Sequence, residues 1–491
     1  MTDETVNPSK PSRMAIWGSF AGLLIAWLSI LCVFPRVIYK ESDIYWMLEV
    51  GRNILRQHGL PSVDTFSYNT LATPWVVYQW LTELIFTTAA FAGMHAVTCV
   101  GQVTLALLLC VLVYRRAIKL GANSIVSFVV VAIATYCTFP DIGTLRPQLF
   151  SFVFVFALQC IFEDAWSTQA DKRQSTIMLV KTAVVAVLWA NCHISFPMGF
   201  ALAGVYLCCQ FVRAIRYKGY DKDLEQKRLS LFGRLSAVFA IGTLINPYGV
   251  GLWLFLETIS KLHVTPEMMP LTDVNHLLMF SALLITALSA WKKAGVPRLI
   301  WLSALFVAGI LHTRFTLYFA ICVIPLVAQA ISDLLPNLTS LKPVAAVSEA
   351  VKEAAMKKVY PIAVTLLAAI IVCCQPLYIP VDVPLVAAES LQKYQLRGNL
   401  FASIHANNYL IYRYDGSLKV FVDTRFDRYD PALVKSYFDA LQGDHWKELF
   451  SHYNITEALL PYGLPITALV AKDPDWVKVY EDPYFSIFIR K

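Results

Sequence analysis

Ionisable side chains stand directly after the first long apolar run of the chain. The segment 41–51 carries Glu41, Asp43 and Glu49 among aromatic and aliphatic residues. A carboxylate held at the edge of an apolar region can accept a proton in a reaction. Three interpretations of this segment are open: a solvated loop, an amphipathic surface helix, or the acidic side of an active site.

Further ionisable side chains stand at the ends of other apolar segments. They are Asp141, Arg146, His193, His312 and Arg314. Taken singly, each is explained at least as well by loop solvation or by a turn. Taken together, polar groups at the ends of membrane helices indicate a cavity. Two arginines in such a cavity can hold a phosphate through paired hydrogen bonds.

The composition indicates which elements must position these groups. The chain has 491 residues, of which 57% are apolar and 15% charged, and these values predict a polytopic membrane protein. The 11 cysteines lie in or beside apolar stretches, without disulfide or metal-type spacing. The net charge of +7 does not require nucleic acid, because membrane proteins concentrate Lys and Arg in their cytoplasmic loops.

Long apolar runs predict an α-helical transmembrane domain of about eleven spans. The first run is a retained span rather than a signal peptide, because no small-residue cleavage pattern follows it. The predicted spans are 14–35, 95–114, 124–139, 147–162, 176–192, 196–212, 231–246, 276–291, 298–311, 314–331 and 359–376.

The distribution of positive charge predicts the orientation of these spans. With a cytoplasmic N-terminus, about 21 Lys and Arg fall in inner loops and about 7 in outer loops, as the positive-inside rule requires. We therefore predict a cytoplasmic segment 1–13, a transmembrane domain 14–376 with a first extracytoplasmic loop 36–94, and an extracytoplasmic domain 377–491.

Two helices are predicted in the first outer loop. Apolar positions with helical spacing indicate an amphipathic helix over 43–57 that lies along the membrane surface. The run 80–91 indicates a second helix, either interfacial or re-entrant. Aromatic residues of this loop are expected at the level of the lipid headgroups: Trp46, Trp75, Tyr78 and Trp80.

Single acids of the first helix also have purely structural explanations. At the start of a helix, Asp43 would cap the helix and favour its dipole. Glu49 and Arg52 are three residues apart, which is the spacing of a solvated ion pair.

The last part of the chain alternates strand-like and helical stretches, which predicts a small α/β domain. We expect a helix over 431–441 and strands over 419–422, 458–460, 476–480 and 485–489. After the first of these strands stand Asp423, Arg425 and Asp427. They are an acceptor or metal site, or an acidic turn capped by its own backbone, and the turn is the favoured interpretation.

The order of the predicted elements is a first span, an acid at its outer end, two surface helices, further spans and a soluble outer domain. This order resembles that of the GT-C superfamily of membrane glycosyltransferases, which includes protein mannosyltransferases and lipid A aminoarabinose transferases. The chain resembles still more closely a set of bacterial polytopic proteins, over nearly its whole length. The shared stretches, as they stand here, are 43–46, 59–68, 80–83, 146–148, 188–193, 245–249 and 420–425. Two departures are visible: Ser42 separates Glu41 from Asp43, where many members have paired acids, and Met47 stands where many of the closer set have His.

The resemblance implies transfer of a sugar from a polyprenyl-phosphate donor at the extracytoplasmic face. An aspartate early in the first outer loop is the general base in that superfamily, and Asp43 matches its position. Arg146 and Arg314 are the candidates for binding the donor phosphate. The residues predicted to position substrate more weakly are His193, Asp64 and Glu83.

The predicted function is therefore inverting transfer, with an aspartate base, from a lipid-linked sugar donor to an extracytoplasmic glycan, lipid or protein. The partners are this donor, that acceptor and membrane lipids, with no nucleic acid. No cofactor is expected with certainty, and a divalent metal stays open. The predicted location is the cytoplasmic membrane of a bacterium. The alternative functions are a non-enzymatic transporter or assembly subunit for surface polysaccharide, and a receptor or scaffold built on the C-terminal domain.

Overall fold

The computed structural model describes residues 11–32, 42–142, 144–167, 171–216, 221–261, 269–376, 383–394 and 398–491. The predictions for Glu41 and for the Asp141 side chain lie outside what it describes. Up to residue 376 the helices are, in chain order, α1 (Arg13–Leu31), α2 (Asp43–Gln57), α3 (Trp80–Ala90), α4 (Met94–Ala106), a π-helical turn (Leu107–Val113), α5 (Tyr114–Lys119), α6 (Ser124–Ile142), α7 (Gln148–Ser167), α8 (Lys172–Cys192), α9 (Pro197–Arg216), α10 (Lys222–Thr243), α11 (Gly251–Ser260), α12 (Val274–Ser289), α13 (Trp291–Ala294), α14 (Val296–Leu311), a 3-10 turn (Thr313–Phe315), α15 (Thr316–Leu334), α16 (Pro336–Thr339), α17 (Lys342–Met356) and α18 (Tyr360–Cys374).

The C-terminal part contains helices and a mixed sheet, as predicted for an α/β domain. Its elements are α19 (Leu385–Lys393), β1 (Asn399–Ala402), α20 (Ile404–Arg413), a 3-10 turn (Phe426–Arg428), α21 (Pro431–Leu441), α22 (Trp446–His452), β2 (Ile455–Pro461), α23 (Pro465–Lys472), β3 (Trp476–Glu481) and β4 (Phe485–Arg490).

Polar residues mark where several of the long apolar helices begin. The Ser12 hydroxyl accepts a hydrogen bond from the Ala15 amide at 3.2 Å at the start of α1. Asp171 and Gln174 form a reciprocal capping box at the start of α8. These side chains satisfy amide groups that have no partner within the helix, and they fix the first residue of each span.

The apolar helices make this a polytopic helical membrane protein. Every predicted span falls on a helix, although the number of crossings remains a prediction. By length and composition, 6 helices of the described chain could cross a membrane: 13–31, 94–119, 148–167, 172–192, 197–216 and 313–334. The pair 342–356 and 359–374 passes the same test together but is bent by 82°. The shorter apolar helices include 124–137, 274–289 and 296–311.

Most of the apolar helices belong to the first of two compact units, which consists of 1–38, 98–250 and 265–376. Its interior holds an ionic cluster around Glu163 of α7, which accepts hydrogen bonds from Arg116 Nε at 2.8 Å and from Arg298 Nε at 2.5 Å. Both arginines are buried. Arg116 and Arg298 are among the roughly 21 residues assigned above to inner loops, but the structure pairs them with Glu163 inside the helical unit.

The second compact unit joins the segment 39–97, which contains the predicted first outer loop, to the C-terminal domain. It consists of 39–97, 251–264 and 377–491. Its sheet has the strand order β1-β2-β4-β3, with β1 parallel to β2 and the other pairs antiparallel. The apolar core lies between this sheet and α21 to α23, and includes Phe401, Tyr437 and Phe450.

The predicted strand over 419–422 is wrong as a member of this sheet. Val420 instead makes an isolated parallel bridge with Ser67 of the outer loop. The Val420 amide donates to the Phe66 carbonyl at 2.9 Å, and the Tyr68 amide donates to the Val420 carbonyl at 3.3 Å. The segment has the composition of a strand because it is buried and paired, but its partner lies in the outer loop.

Candidate active site

The helix that carries Asp43 is packed into the second unit on most of its surface. Its bounds, Asp43–Gln57, are those predicted from apolar spacing. Gly51 allows α3 to approach closely, because a Cβ atom there would lie 2.6 Å from the Glu83 carbonyl oxygen. The Thr87 hydroxyl on α3 donates to the Leu48 carbonyl at 3.0 Å. Residues 44–51 are all buried, so α2 is a core element of this unit.

The Asp43 carboxylate is held by two residues of the C-terminal domain. Thr424 Oγ1 donates to Asp43 Oδ1 at 2.6 Å, and Asn408 Nδ2 lies 3.3 Å from the same oxygen. Thr424 Oγ1 in turn accepts from Trp46 Nε1 at 3.1 Å and from Asn408 Nδ2 at 3.0 Å. Asp43 itself is half-buried. The acid therefore lies in a polar network built from α2, α20 and the segment after Val422.

This network continues to a histidine. Asn408 Nδ2 donates to Ser42 Oγ at 2.9 Å, and Ser42 Oγ lies 2.8 Å from His405 Nδ1. Sequence reasoning did not select Asn408, Thr424 or His405. One signal was available for the amide: Asn407 and Asn408 stand side by side and are followed directly by the largely apolar run 409–412.

Asp64 lies in an adjacent ionic cluster rather than in the network around Asp43. Its Oδ2 is 3.0 Å from Arg425 Nη1, and its Oδ1 accepts from the Phe66 amide at 2.9 Å. Arg425 also binds both oxygens of Asp423, through Nε at 3.0 Å and Nη2 at 2.5 Å. The Arg425 amide donates to Asp423 Oδ1 at 2.8 Å. Asp423 therefore accepts from the backbone of its own turn, as the favoured interpretation of this segment expected of it.

Aromatic rings surround the buried Arg425 guanidinium. Its central carbon lies 5.7 Å from the ring centre of Trp46, 4.9 Å from that of Phe66 and 5.0 Å from that of Trp75. The expectation of headgroup-level side chains is wrong for Trp46 and Trp75, which are 7% and 5% exposed. Cation–π attraction to a desolvated guanidinium favours these positions over a lipid surface.

Glu83 faces the same cluster from α3. Burial raises its pKa to about 8, because a charged carboxylate is costly away from water. Burial likewise raises the pKa of Asp427 to about 7, while the nearby Arg425 lowers it. Glu83 Oε2 and Asp427 Oδ2 are enclosed and have no hydrogen-bond partner among the described residues. These two acids can therefore hold protons near neutral pH.

Glu49 is fully buried, so its interpretation as part of a solvated pair is wrong. Its oxygens lie 3.3 Å from Arg52 Nη1 and 3.0 Å from Arg56 Nη1. Asp415 binds the same two arginines at 3.1 Å and 3.4 Å. Burial raises the pKa of Glu49, and Arg56 and Arg52 oppose that shift. The two arginines thus connect Glu49 of α2 to Asp415, which follows α20.

Three predicted site residues lie together in the first unit. His193 ends α8, and its Nδ1 is 2.9 Å from Ser151 Oγ and 2.8 Å from Ser195 Oγ. Arg314 and Arg146 both act electrostatically on this imidazole. Arg146 immediately precedes α7 and Arg314 lies in the 3-10 turn before α15. The polar ends of three helices thus meet in one cluster, whereas Asp43, Asp64 and Glu83 belong to the second unit.

Acidic and histidine side chains in these clusters are dispersed or paired with arginine. Across the ranges that the structure describes, no three His, Cys, Asp or Glu side chains are arranged to hold a metal ion.

Comparison with solved structures identifies the fold. No family model matches the chain, and no curated protein matches its sequence. ArnT from Cupriavidus metallidurans in the apo state matches with a TM-score of 0.55 and 12% identity, over 97% of this chain and 98% of that one. The Archaeoglobus fulgidus oligosaccharyltransferase in the apo form matches with a TM-score of 0.54 and 12% identity, over 92% of this chain and 70% of that one. The same ArnT bound to undecaprenyl phosphate gives a TM-score of 0.49.

The protein is thus a polytopic helical membrane protein with a GT-C-like fold, as the resemblance implied. At 12% identity the likeness concerns the fold, and the chemistry must be argued from the residues of this chain.

Proposed function

We propose that this protein is a membrane glycosyltransferase that moves a sugar from a polyprenyl-phosphate donor to an extracytoplasmic acceptor. The observation that carries the proposal is the Asp43 carboxylate, which stands in the first turn of α2 and is held by Thr424 and Asn408. The fold supports it, because solved proteins with that fold include an oligosaccharyltransferase and ArnT. ArnT has been crystallised with undecaprenyl phosphate.

Asp43 acts in this proposal as the general base. The acceptor hydroxyl attacks the anomeric carbon of the sugar from the face opposite the phosphate, and its proton passes to the Asp43 carboxylate. A glycosidic bond forms as the bond between the anomeric carbon and the phosphate oxygen breaks. Polyprenyl phosphate leaves as a phosphate monoester, and the configuration at the anomeric carbon is inverted.

Cations must stabilise the phosphate as it leaves, because negative charge accumulates on its oxygens. Arg146 and Arg314 are assigned this role, since each lies next to the start of an apolar helix and both act electrostatically on His193. The charges of both arginines act on the His193 imidazole. Its contacts with Ser151 and Ser195 connect α7 to the residues after α8. Asp64 and Glu83 support α2 and the outer loop through the Arg425 cluster.

The proposed location is the cytoplasmic membrane of a bacterium, with the C-terminal domain outside. Its support is the surplus of Lys and Arg in the predicted inner loops and the membership of the first outer loop and the C-terminal domain in one compact unit.

The proposal is tested with the purified full chain in lipid nanodiscs. The donors are undecaprenyl phosphates carrying radiolabelled glucose, galactose, mannose, N-acetylglucosamine or aminoarabinose, and the acceptor is solubilised envelope from cells that lack the protein. We expect one donor to release undecaprenyl phosphate and label the acceptor. Asp43→Asn should reduce this transfer at least about a thousandfold, because the base is lost, while membrane insertion and elution volume stay unchanged.

The choice between transfer and the alternative of polysaccharide assembly or transport is made in cells. Mass spectrometry of surface glycans should show loss of one sugar when the protein is missing, and the same loss with Asp43→Asn. Loss of the whole polymer, together with full activity of Asp43→Asn, would contradict the proposal and favour assembly or export.

A further inference from the structure

The hydroxyl of Thr424 has its hydrogen-bonding capacity fully used. A hydroxyl offers one proton and two lone pairs. Trp46 Nε1 and Asn408 Nδ2 carry protons and no lone pair for this purpose, and they lie 3.1 Å and 3.0 Å from Thr424 Oγ1. These two donors can occupy both lone pairs of the hydroxyl. Its single proton has two acceptors within reach, Asp43 Oδ1 at 2.6 Å and Asn408 Oδ1 at 3.3 Å, and the much shorter distance assigns it to Asp43.

The orientation of the Asn408 amide is fixed by its own partners. The Thr424 amide donates to Asn408 Oδ1 at 3.4 Å. On the other side, Nδ2 faces three oxygen acceptors, on Ser42, Thr424 and Asp43, at 2.9, 3.0 and 3.3 Å. A reversed amide would place its carbonyl oxygen against the Asp43 carboxylate. Asn408 is also fully buried, so this arrangement is set by packing as well as by hydrogen bonds.

These contacts lead to an assignment for the C-terminal domain. We propose that Thr424 and Asn408 are positioning residues for the Asp43 carboxylate, and that the C-terminal domain thereby completes the catalytic unit. The inference rests on the proposed function of Asp43 as the base. It assigns the domain a task at the reacting centre, in addition to any contact it makes with the acceptor.

The physical need for such positioning follows from the place of Asp43. A carboxylate in the first turn of a helix can rotate about two side-chain bonds, and a base misplaced by about 1 Å costs on the order of a hundredfold in rate. The hydroxyl of Thr424 fixes Oδ1 by a short hydrogen bond. Because a bond to a charged group is stronger than one between neutral groups, it restrains the carboxylate before substrate arrives.

The test compares Thr424→Val with Thr424→Ser in the nanodisc assay, with the undecaprenyl-phosphate sugar that the native chain turns over. Valine keeps the shape of threonine and removes the hydroxyl, whereas serine keeps the hydroxyl. We expect Thr424→Val to lower kcat at least about tenfold, with KM for the donor unchanged within about twofold. Thr424→Ser should restore kcat to within about threefold of the native value.

A matched control lies in the same domain. Thr467 is buried, and its hydroxyl donates to the Pro461 carbonyl at 2.8 Å. Thr467→Val removes a comparable hydroxyl away from Asp43 and should leave kcat within about twofold of the native value. Equal loss of kcat in Thr467→Val and Thr424→Val would show a general effect on the fold and would overturn the inference.

The remaining outcomes separate this inference from the proposed function. If Asp43→Asn is inactive and Thr424→Val keeps its kcat, the positioning role is overturned while the base assignment stands. If Asp43→Asn is fully active, both are overturned. Thr424→Ala serves as a second variant should valine prevent folding. If neither is recovered as folded protein, Thr424 acts in folding and the inference is overturned.

Discussion

At the scale of single residues, Arg425 connects several separate segments of the second unit. It pairs with Asp64 and Asp423 and lies among three aromatic rings. Its side chain is 3% exposed. A charge so deeply buried is tolerated only where its partners are complete, and removal of one member leaves the others unpaired.

We predict that Arg425→Ala lowers the free energy of unfolding by about 3–5 kcal/mol, because Asp64 and Asp423 would remain buried without their cation. Arg425→Lys should also be destabilising, since an ammonium group cannot bind the two acids with a planar fork. Thermal unfolding of the purified protein measures both changes. Arg413 of α20 is exposed, and Arg413→Ala is the control, with an expected change within about 0.5 kcal/mol. Equal effects of the two alanine variants would contradict this account of Arg425.

Only some residues of the candidate site could be predicted from the sequence. Asp43 was selected from its position after the first span and from the resemblance. Its partners Asn408 and Thr424 are 365 and 381 residues away in the chain. No periodicity or spacing connects residues so far apart, and their pairing is determined by the tertiary fold. Asp64 and Glu83 were selected by the same reasoning, and they lie in the Arg425 cluster.

At the scale of elements, local patterns predicted helices well where one face is apolar. The helices 43–57 and 431–441 have the bounds expected from spacing and from their end residues. The strand predicted at 419–422 was wrong as a sheet member, because a buried extended segment has the same composition whether it pairs with a sheet or with a loop. The edge strand β1 was missed, since four residues are too few to show a period.

The contact between α2 and α3 depends on Gly51. We predict that Gly51→Ala destabilises the second unit by about 1–3 kcal/mol, because the added methyl group overlaps the Glu83 carbonyl and the Thr87 side chain. Gly59→Ala is the matched control: its nearest neighbour would be 3.9 Å away. Thermal unfolding of both variants provides the measurement. A Gly51→Ala protein as stable as Gly59→Ala would refute the close packing of α2 against α3.

At the scale of the whole molecule, every span predicted from an apolar run corresponds to a helix in the structure. The solved structures share this fold at 12% identity. Hydropathy succeeds here because each backbone polar group in lipid must be satisfied within its own helix. Hydropathy could not predict which segments of the chain belong to each of the two compact units. The first outer loop and the C-terminal domain are far apart in the chain and belong to one unit, through contacts such as the bridge between Ser67 and Val420.

The orientation predicted from charge can be tested directly. Alkaline phosphatase fused after Lys491 should be active, because it folds with disulfides only outside the cytoplasm. Green fluorescent protein fused at the same position should stay dark after export. The reverse pair of signals is expected for a fusion that ends at Asp221, in the predicted inner loop before α10. A fluorescent fusion at Lys491 would contradict the proposed placement of the catalytic unit outside the membrane.

The long chain separation between Asp43 and Thr424 also bears on the order of biosynthesis. The hydrogen bond that holds Asp43, the proposed base, joins residues 381 positions apart. At translation rates of about 5–20 residues per second, Asp43 precedes Thr424 by roughly 20 to 80 seconds. During that interval the acid has left the ribosome while the groups that orient it do not yet exist. A chain interrupted before residue 424 lacks the hydroxyl that holds Asp43, and in the proposed mechanism competence for transfer is reached only after Thr424 has been synthesised.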